Sequence, residues 1–239
     1  MTDQTWEKFP NVFTPALKKR VSKEWAAYFT EFELAKPLLF GKRVGCLWYQ
    51  MALGVTSSRE TYTPAYDATN LSRDMDFMIS TIEHQYQTER NTPGYVRLCF
   101  HDLYYRNVAA RMREQAILPL EGPISLRDMM AAYQNYAEVN NRSWRSDSAL
   151  DDPAMICAWA GRPDLVEECL TWGLDLIASF NEKSRARSPI DPDAWVAKIR
   201  LLTSDPERLR QITRDRVVLH KLTKIPYQDF SDAAYKEAP

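Results

Sequence analysis

Three histidines, His84, His101 and His220, are the whole imidazole inventory of this 239-residue chain. Imidazole is the side chain that most often carries acid–base or metal chemistry near neutral pH. His101-Asp102 has the form of half a metal-phosphohydrolase signature. Such a site needs further His and Asp ligands at helical positions, and the chain has too few of them. A hydrogen-bonded structural histidine is the expected role of His101. Glu83-His84 fails as part of a di-iron centre, which requires Glu-x-x-His pairs that occur nowhere in the sequence. Asp74-Met-Asp76 and Asp147-Ser-Ala-Leu-Asp151-Asp152 resemble prenyl-pyrophosphate Asp clusters only in passing. The first is placed to complement the dipole of a helix start, and the second merges into a helix cap. A magnesium site wants more acids or substrate phosphates beside it.

Nucleophile and phosphate signatures are missing as well. The sequence has no G-x-S-x-G, no G-x-x-x-x-G-K-[ST] and no G-x-G-x-x-G. Its 4 cysteines, Cys46, Cys99, Cys157 and Cys169, are scattered with no C-x-x-C. Neither a zinc ribbon nor a redox dithiol is indicated, and buried free thiols in a reducing compartment are expected. Cys157 and Cys169 flank a short turn and could face one another. No cofactor is implied.

The segment that invites a partner is Arg142-Ser-Trp144-Arg145, inside the longest polar stretch of the chain's interior. Trp and Arg are the residues most enriched at interface hot spots, and a Trp in a polar loop has no helical stripe to hide in. With Asp147, Asp151 and Asp152 following at once, Arg142, Trp144 and Arg145 form an aromatic anchor ringed by both signs of charge. These six residues are the candidate partner-binding site.

The elements that would position them read as helices. A Thr or Asp precedes a Pro at Thr14-Pro15, Thr92-Pro93, Asp152-Pro153, Asp191-Pro192 and Asp205-Pro206. The side-chain oxygen can accept from the free N–H groups of a first helical turn, and the Pro fits the first helical position. Only 7 glycines interrupt the chain. Apolar residues at 3.6-residue spacing predict helices over 15–32, 36–53, 71–90, 93–118, 126–141, 153–160, 163–181, 192–203 and 206–222. The expected fold is all-α: a multi-helix bundle followed by stacked αα-hairpins of solenoid type. It is one helical domain over 1–239, with 1–141 and 150–239 as candidate subdomains.

Charge adds exclusions. Lys and Arg number 31 against 32 Asp and Glu, for a net charge of −1. A dedicated nucleic-acid binder usually carries a strong positive excess, so no nucleic-acid partner is expected. The Arg-rich run from Arg208 to Lys224 reads as a solvated helix face. No stretch approaches the ~18 apolar residues of a membrane span, and the N-terminus lacks the pattern of a secretory signal. A cytoplasmic location away from membranes is expected.

The helix pairs over 152–222, with their Ala158-Trp159-Ala160-Gly161-Arg162-Pro163-Asp164 turn, give the chain an outline similar to helical immunity proteins of bacterial toxin systems. That resemblance implies a non-enzymatic protein-binding module that neutralises a cognate toxin by direct binding, and it carries over no functional residue. Two alternatives stand beside it: a helical enzyme whose pocket is assembled from scattered residues, and a helical-repeat scaffold or adaptor.

Overall fold

The computed structural model describes residues 11–75, 77–140, 146–180 and 189–237, leaving out the side chains of 138–140 and 146–148. The chain is a mixed α/β protein, not the all-α helical bundle its cap signals predict. Its seven-stranded sheet comprises β1 (Glu33–Lys36), β2 (Leu39–Val44), β3 (Leu47–Val55), β4 (Thr61–Asn70), β5 (Ser80–Gln85), β6 (Val96–Arg97) and β7 (Tyr227–Gln228). The spatial order is β1-β2-β3-β4-β5; β6 lies antiparallel on the start of β4, and β7 lies parallel on the end of β2. The helices among the described residues are α1 (Pro15–Tyr28), α2 (His101–Glu114), α3 (Leu126–Asn140), α4 (Ser146–Trp159), α5 (Pro163–Ser179), α6 (Pro192–Thr203) and α7 (Pro206–Leu219).

Three of the five cap-and-proline signals do what their chemistry suggests. The side chains of Thr14, Asp191 and Asp205 accept from the backbone N–H groups of Leu17, Ala194 and Arg208 at 3.3, 2.9 and 3.0 Å, with Pro at the first helical position each time. Two signals mislead. Thr92-Pro93 closes a β-hairpin: the Thr88 N–H donates to the Thr92 carbonyl at 2.9 Å, Asn91 takes φ +53°, and α2 begins only at His101. Pro153 sits inside α4, seven residues after its start.

The helix predicted over 36–53 is instead the β1-β2-β3 meander. Gly45 makes the β2–β3 turn with φ +53°, and a Cβ there would meet the Phe230 ring at 2.5 Å. The predicted helix over 71–90 is an irregular segment leading into β5 and the hairpin. Residues 56–60 form the β3–β4 turn, with Arg59 at φ +61°.

Two compact units share the chain. The first takes residues 1–41, 50–66 and 83–121, and the second takes 42–49, 67–82 and 122–239. The first has an aromatic core. Trp25, Phe29, Phe32, Phe40 and Tyr62 are buried, with ring centroids about 6 Å apart in stacked and edge-on pairs. In the second, Trp48, Leu71, Val217, Leu222 and Ile225 form one buried cluster. Its α3 opens on a reciprocal cap between Ser125 and Asp128, whose carboxyl is held below its ordinary value by the Ser125 hydroxyl and N–H. Among the described residues no helix is long and apolar enough to cross a membrane.

Candidate functional site

His101 is buried at the start of α2 with both ring nitrogens engaged. Trp25 Nε1 donates to the Tyr62 hydroxyl at 3.2 Å, that hydroxyl lies 2.8 Å from His101 Nδ1, and Nε2 lies 2.7 Å from a Glu24 carboxylate oxygen. Trp can only donate and an ionised carboxylate can only accept. The proton therefore sits on Nε2, and Nδ1 accepts from Tyr62. Burial lowers the histidine's pKa, partly offset by the bond to Glu24, while burial pushes the Tyr62 hydroxyl upward. The order Tyr–His–Glu imitates a nucleophilic triad, but Tyr62 is wholly buried. A nucleophile must reach its substrate. This chain of bonds ties α1, β4 and α2 together.

Glu24, His101 and Asp102 also bring three possible metal-ligand atoms within 4.8 Å of one another. Arg20 already bridges the two carboxylates, 2.9 Å from Glu24 and 2.8 Å from Asp102. An ion there would have to displace a guanidinium from both acids, so the group fits an ion-pair network better than a metal centre.

The six sequence-predicted site residues separate. Arg142, Trp144 and Arg145 lie outside the described residues, and Asp147 falls in α4 with its side chain outside the description. Asp151 and Asp152 are buried in α4. Asp152 accepts from Asn70 Nδ2 at 3.0 Å, from the Tyr133 hydroxyl at 3.1 Å and from the Arg73 guanidinium. Asp151 accepts from Trp195 Nε1 at 3.0 Å and from Lys198 Nζ at 2.6 Å. Asp152 thus serves as an ionic centre inside the second unit and not as an N-cap, and α4 is already under way when it reaches Pro153. Asp74 pairs with Arg208 at 3.4 Å, while Asp76 is outside the described residues.

Two further groups, Cys157 and Arg216, are similarly occupied. All four cysteines are free thiols, and Cys157 hydrogen-bonds Cys169 across α4 and α5, as their spacing allowed. That bond and burial push the Cys157 thiol well above its ordinary range, which makes it unreactive. Arg216, read as part of a solvated face, is buried, and its guanidinium donates to the backbone carbonyls of Arg73, Met75 and Phe77.

The feature that sequence reasoning missed lies in the first unit. An open cleft of about 1000 Å³ runs between the hairpin over 86–97 and one face of α2. Tyr86, Tyr95, Phe100 and Tyr104 supply aromatic walls, and Thr88, Glu89, Arg97, Asn107, Arg111 and Glu114 supply polar groups. Tyr95, Phe100, Leu103 and Tyr104 are between 43% and 57% exposed. The Phe100 and Tyr104 rings meet edge-on at 6.0 Å. Gly94 allows the hairpin to close on Tyr86, since a Cβ there would stand 2.4 Å from that ring. Arg111 braces the hairpin from α2 by donating to the carbonyls of Gln87 and Thr88 at 3.1 and 3.2 Å.

Phe100, Leu103 and Tyr104 belonged to the apolar stripe of the helix predicted over 93–118. Of that stripe α2 buries Val108 and Met112, and with them His101 and Ala109. That leaves the neighbouring aromatic positions facing water. A stripe too broad for one helix face was the available signal.

Comparison of the chain with protein-family models, with curated proteins and with solved structures finds no match.

Proposed function

We propose that this chain is a protein-binding module whose recognition surface is the aromatic cleft between α2 and the hairpin over 86–97. The observation that carries the reading is the set of three large aromatic side chains, Tyr95, Phe100 and Tyr104, left half-exposed together along the cleft. Clustered exposed apolar groups on a soluble surface mark interaction sites, and Tyr with Arg dominates binding energetics at such sites. The nearby imidazole and one guanidinium of the cleft are committed elsewhere: His101 to Tyr62 and Glu24, and Arg111 to two hairpin carbonyls. This favours binding over turnover.

Neutralisation of a toxin is one form such binding can take. The all-helical layout that suggested it is not this chain's layout, and the cleft supports protein binding independently of it. Trp144, with Arg142 and Arg145, is a second candidate anchor argued from sequence alone.

The test is co-purification from the native host with wild-type chain and with Tyr104→Ala and Trp144→Ala variants, each checked by melting temperature. A stoichiometric protein held by the wild type and lost from folded Tyr104→Ala supports the reading. Retention of every such protein by Tyr104→Ala overturns it.

A further inference from the structure

Resting on the protein-binding reading, we infer that the cleft takes an extended segment of its partner, about seven residues long, with apolar anchors at one end and a Lys or Arg at the other. Three observations define that occupant.

The first is length. The α2 wall of the cleft runs from Phe100, at its leading edge, to Glu114, its last residue. Fourteen residues of rise at about 1.5 Å each make a trough of about 21 Å. An extended chain advancing about 3.1–3.3 Å per residue covers that distance in six to seven residues.

The second is the gradient of chemistry along the trough. Tyr95, Phe100 and Tyr104 gather at the end where α2 begins, beside Val96. They offer flat apolar faces to a Leu, Pro or aromatic side chain. Asn107 follows on the same wall, with its carboxamide available to a passing backbone.

The third is charge. At the far end stand Glu89, on the hairpin, and Glu114, on the last turn of α2. Arg111 lies between them in sequence on that wall, but its guanidinium is directed to the carbonyls of Gln87 and Thr88. The two carboxylates are thus left to a cation from outside. Arg97, at the aromatic end, opposes a basic residue there. Attraction at one end and repulsion at the other fix the direction of the bound segment, which is how charge contributes specificity to an interface.

The experiment selects random heptapeptides displayed on phage against the immobilised full-length chain. Enriched sequences are then synthesised with a fluorophore and titrated by anisotropy. The expected result is enrichment of peptides that pair apolar residues at one end with Lys or Arg at the other. Their affinity should fall about tenfold on Tyr104→Ala, and fall about as far on the combined Glu89→Gln and Glu114→Gln change. Replacing the peptide's basic residue by Gln should abolish the second effect and not the first. That substitution is made on the ligand, so it reports even if a protein variant misfolds. No enrichment, enrichment of acidic peptides, or affinities indifferent to Glu89 and Glu114 would each overturn the inference. A native partner lost from Tyr104→Ala while no heptapeptide is selected would overturn it too, and leave the protein-binding reading standing.

Discussion

The helices α2 and α4 break the usual rule of burial in opposite directions. Within its unit, α4 buries two adjacent carboxylates, Asp151 and Asp152. Within the other, α2 and its approach leave Phe100, Leu103 and Tyr104 in water. The buried acids are answered atom by atom: Arg73, Asn70 and Tyr133 hold Asp152, and Trp195 and Lys198 hold Asp151. The exposed Phe100 and Tyr104 rings meet one another edge-on, and among the described residues nothing buries them. A violation that the fold itself compensates is structural, because removing one partner strands the rest. A violation left uncompensated costs the isolated chain and points to something that binds.

The largest effect that could break this contrast is at Asp152. Asp152→Ala would leave the Arg73 guanidinium without its closest counter-charge, a loss of about 3–5 kcal/mol for a buried pair. In a chain of this size that corresponds to a fall of about 10 °C in melting temperature. A variant melting within 2 °C of wild type would remove Asp152 from the structural side of the comparison. Tyr104→Ala should behave in the opposite way. Its unfolding free energy should stay within about 0.5 kcal/mol of wild type, as for an exposed position. Association with the native partner should weaken by about 2 kcal/mol or more. Early melting with unaltered binding would make Tyr104 a lid on the core instead.

Gly94→Ala sharpens the same side of the comparison with a smaller effect. The new methyl would stand 2.4 Å from the Tyr86 ring, so the ring or the hairpin must move. Overpacking of this kind costs about 1 kcal/mol or more, read as a lowered melting temperature, together with reduced partner affinity because Tyr86 lines the cleft. Unchanged values of both would show that the cleft wall tolerates displacement and is not preformed.

The contrast between units also marks how far the sequence could be read. The predicted helices over 126–141, 163–181, 192–203 and 206–222 match α3, α5, α6 and α7 closely, since caps, prolines and 3.6-residue spacing agree there. The sheet was invisible for a physical reason. β3, with the sequence LWYQMALGV, is buried on both faces over its first half. A continuous apolar run satisfies the helical period as easily as the strand period. Thr92-Pro93 is chemically the same signal as Thr14-Pro15, and only the hairpin pairing around it decides otherwise. Gly41 and Gly45 fall inside the helix predicted over 36–53, and Gly45, at φ +53°, makes the β2–β3 turn there. The cleft was out of reach because it needs the true start of α2. Phe100 precedes the helix, and the apolar stripe of α2 is broad enough that only its packing decides which positions are covered.

The smallest expected effect concerns pH, and it separates the buried face of α2 from its exposed one. His101 is held neutral, its pKa lowered first by burial, with Glu24 pulling the other way and Arg20 reinforcing the fall. His84 and His220 are also lowered, in each case chiefly by burial. A histidine whose folded pKa lies below its unfolded value of about 6.5 binds its proton more readily in the unfolded chain. Its contribution is therefore complete above pH ~6.5 and is lost as pH falls from there toward the folded pKa. Protonation would also make Nδ1 a donor, so that the buried Tyr62 hydroxyl, already accepting from Trp25, would lose the acceptor for its own proton. The unfolding free energy should accordingly decline from pH 7 to pH 5, a window above the ordinary titration range of carboxylates. His101→Gln should flatten the slope. The protection of α2 amides against hydrogen exchange, relative to their intrinsic rates, should fall more than that of α5 amides over the same interval, since α5 contains no histidine. Stability that rises on acidification through this window would show that His101 is protonated in the folded chain, and would return it to the list of groups available for chemistry.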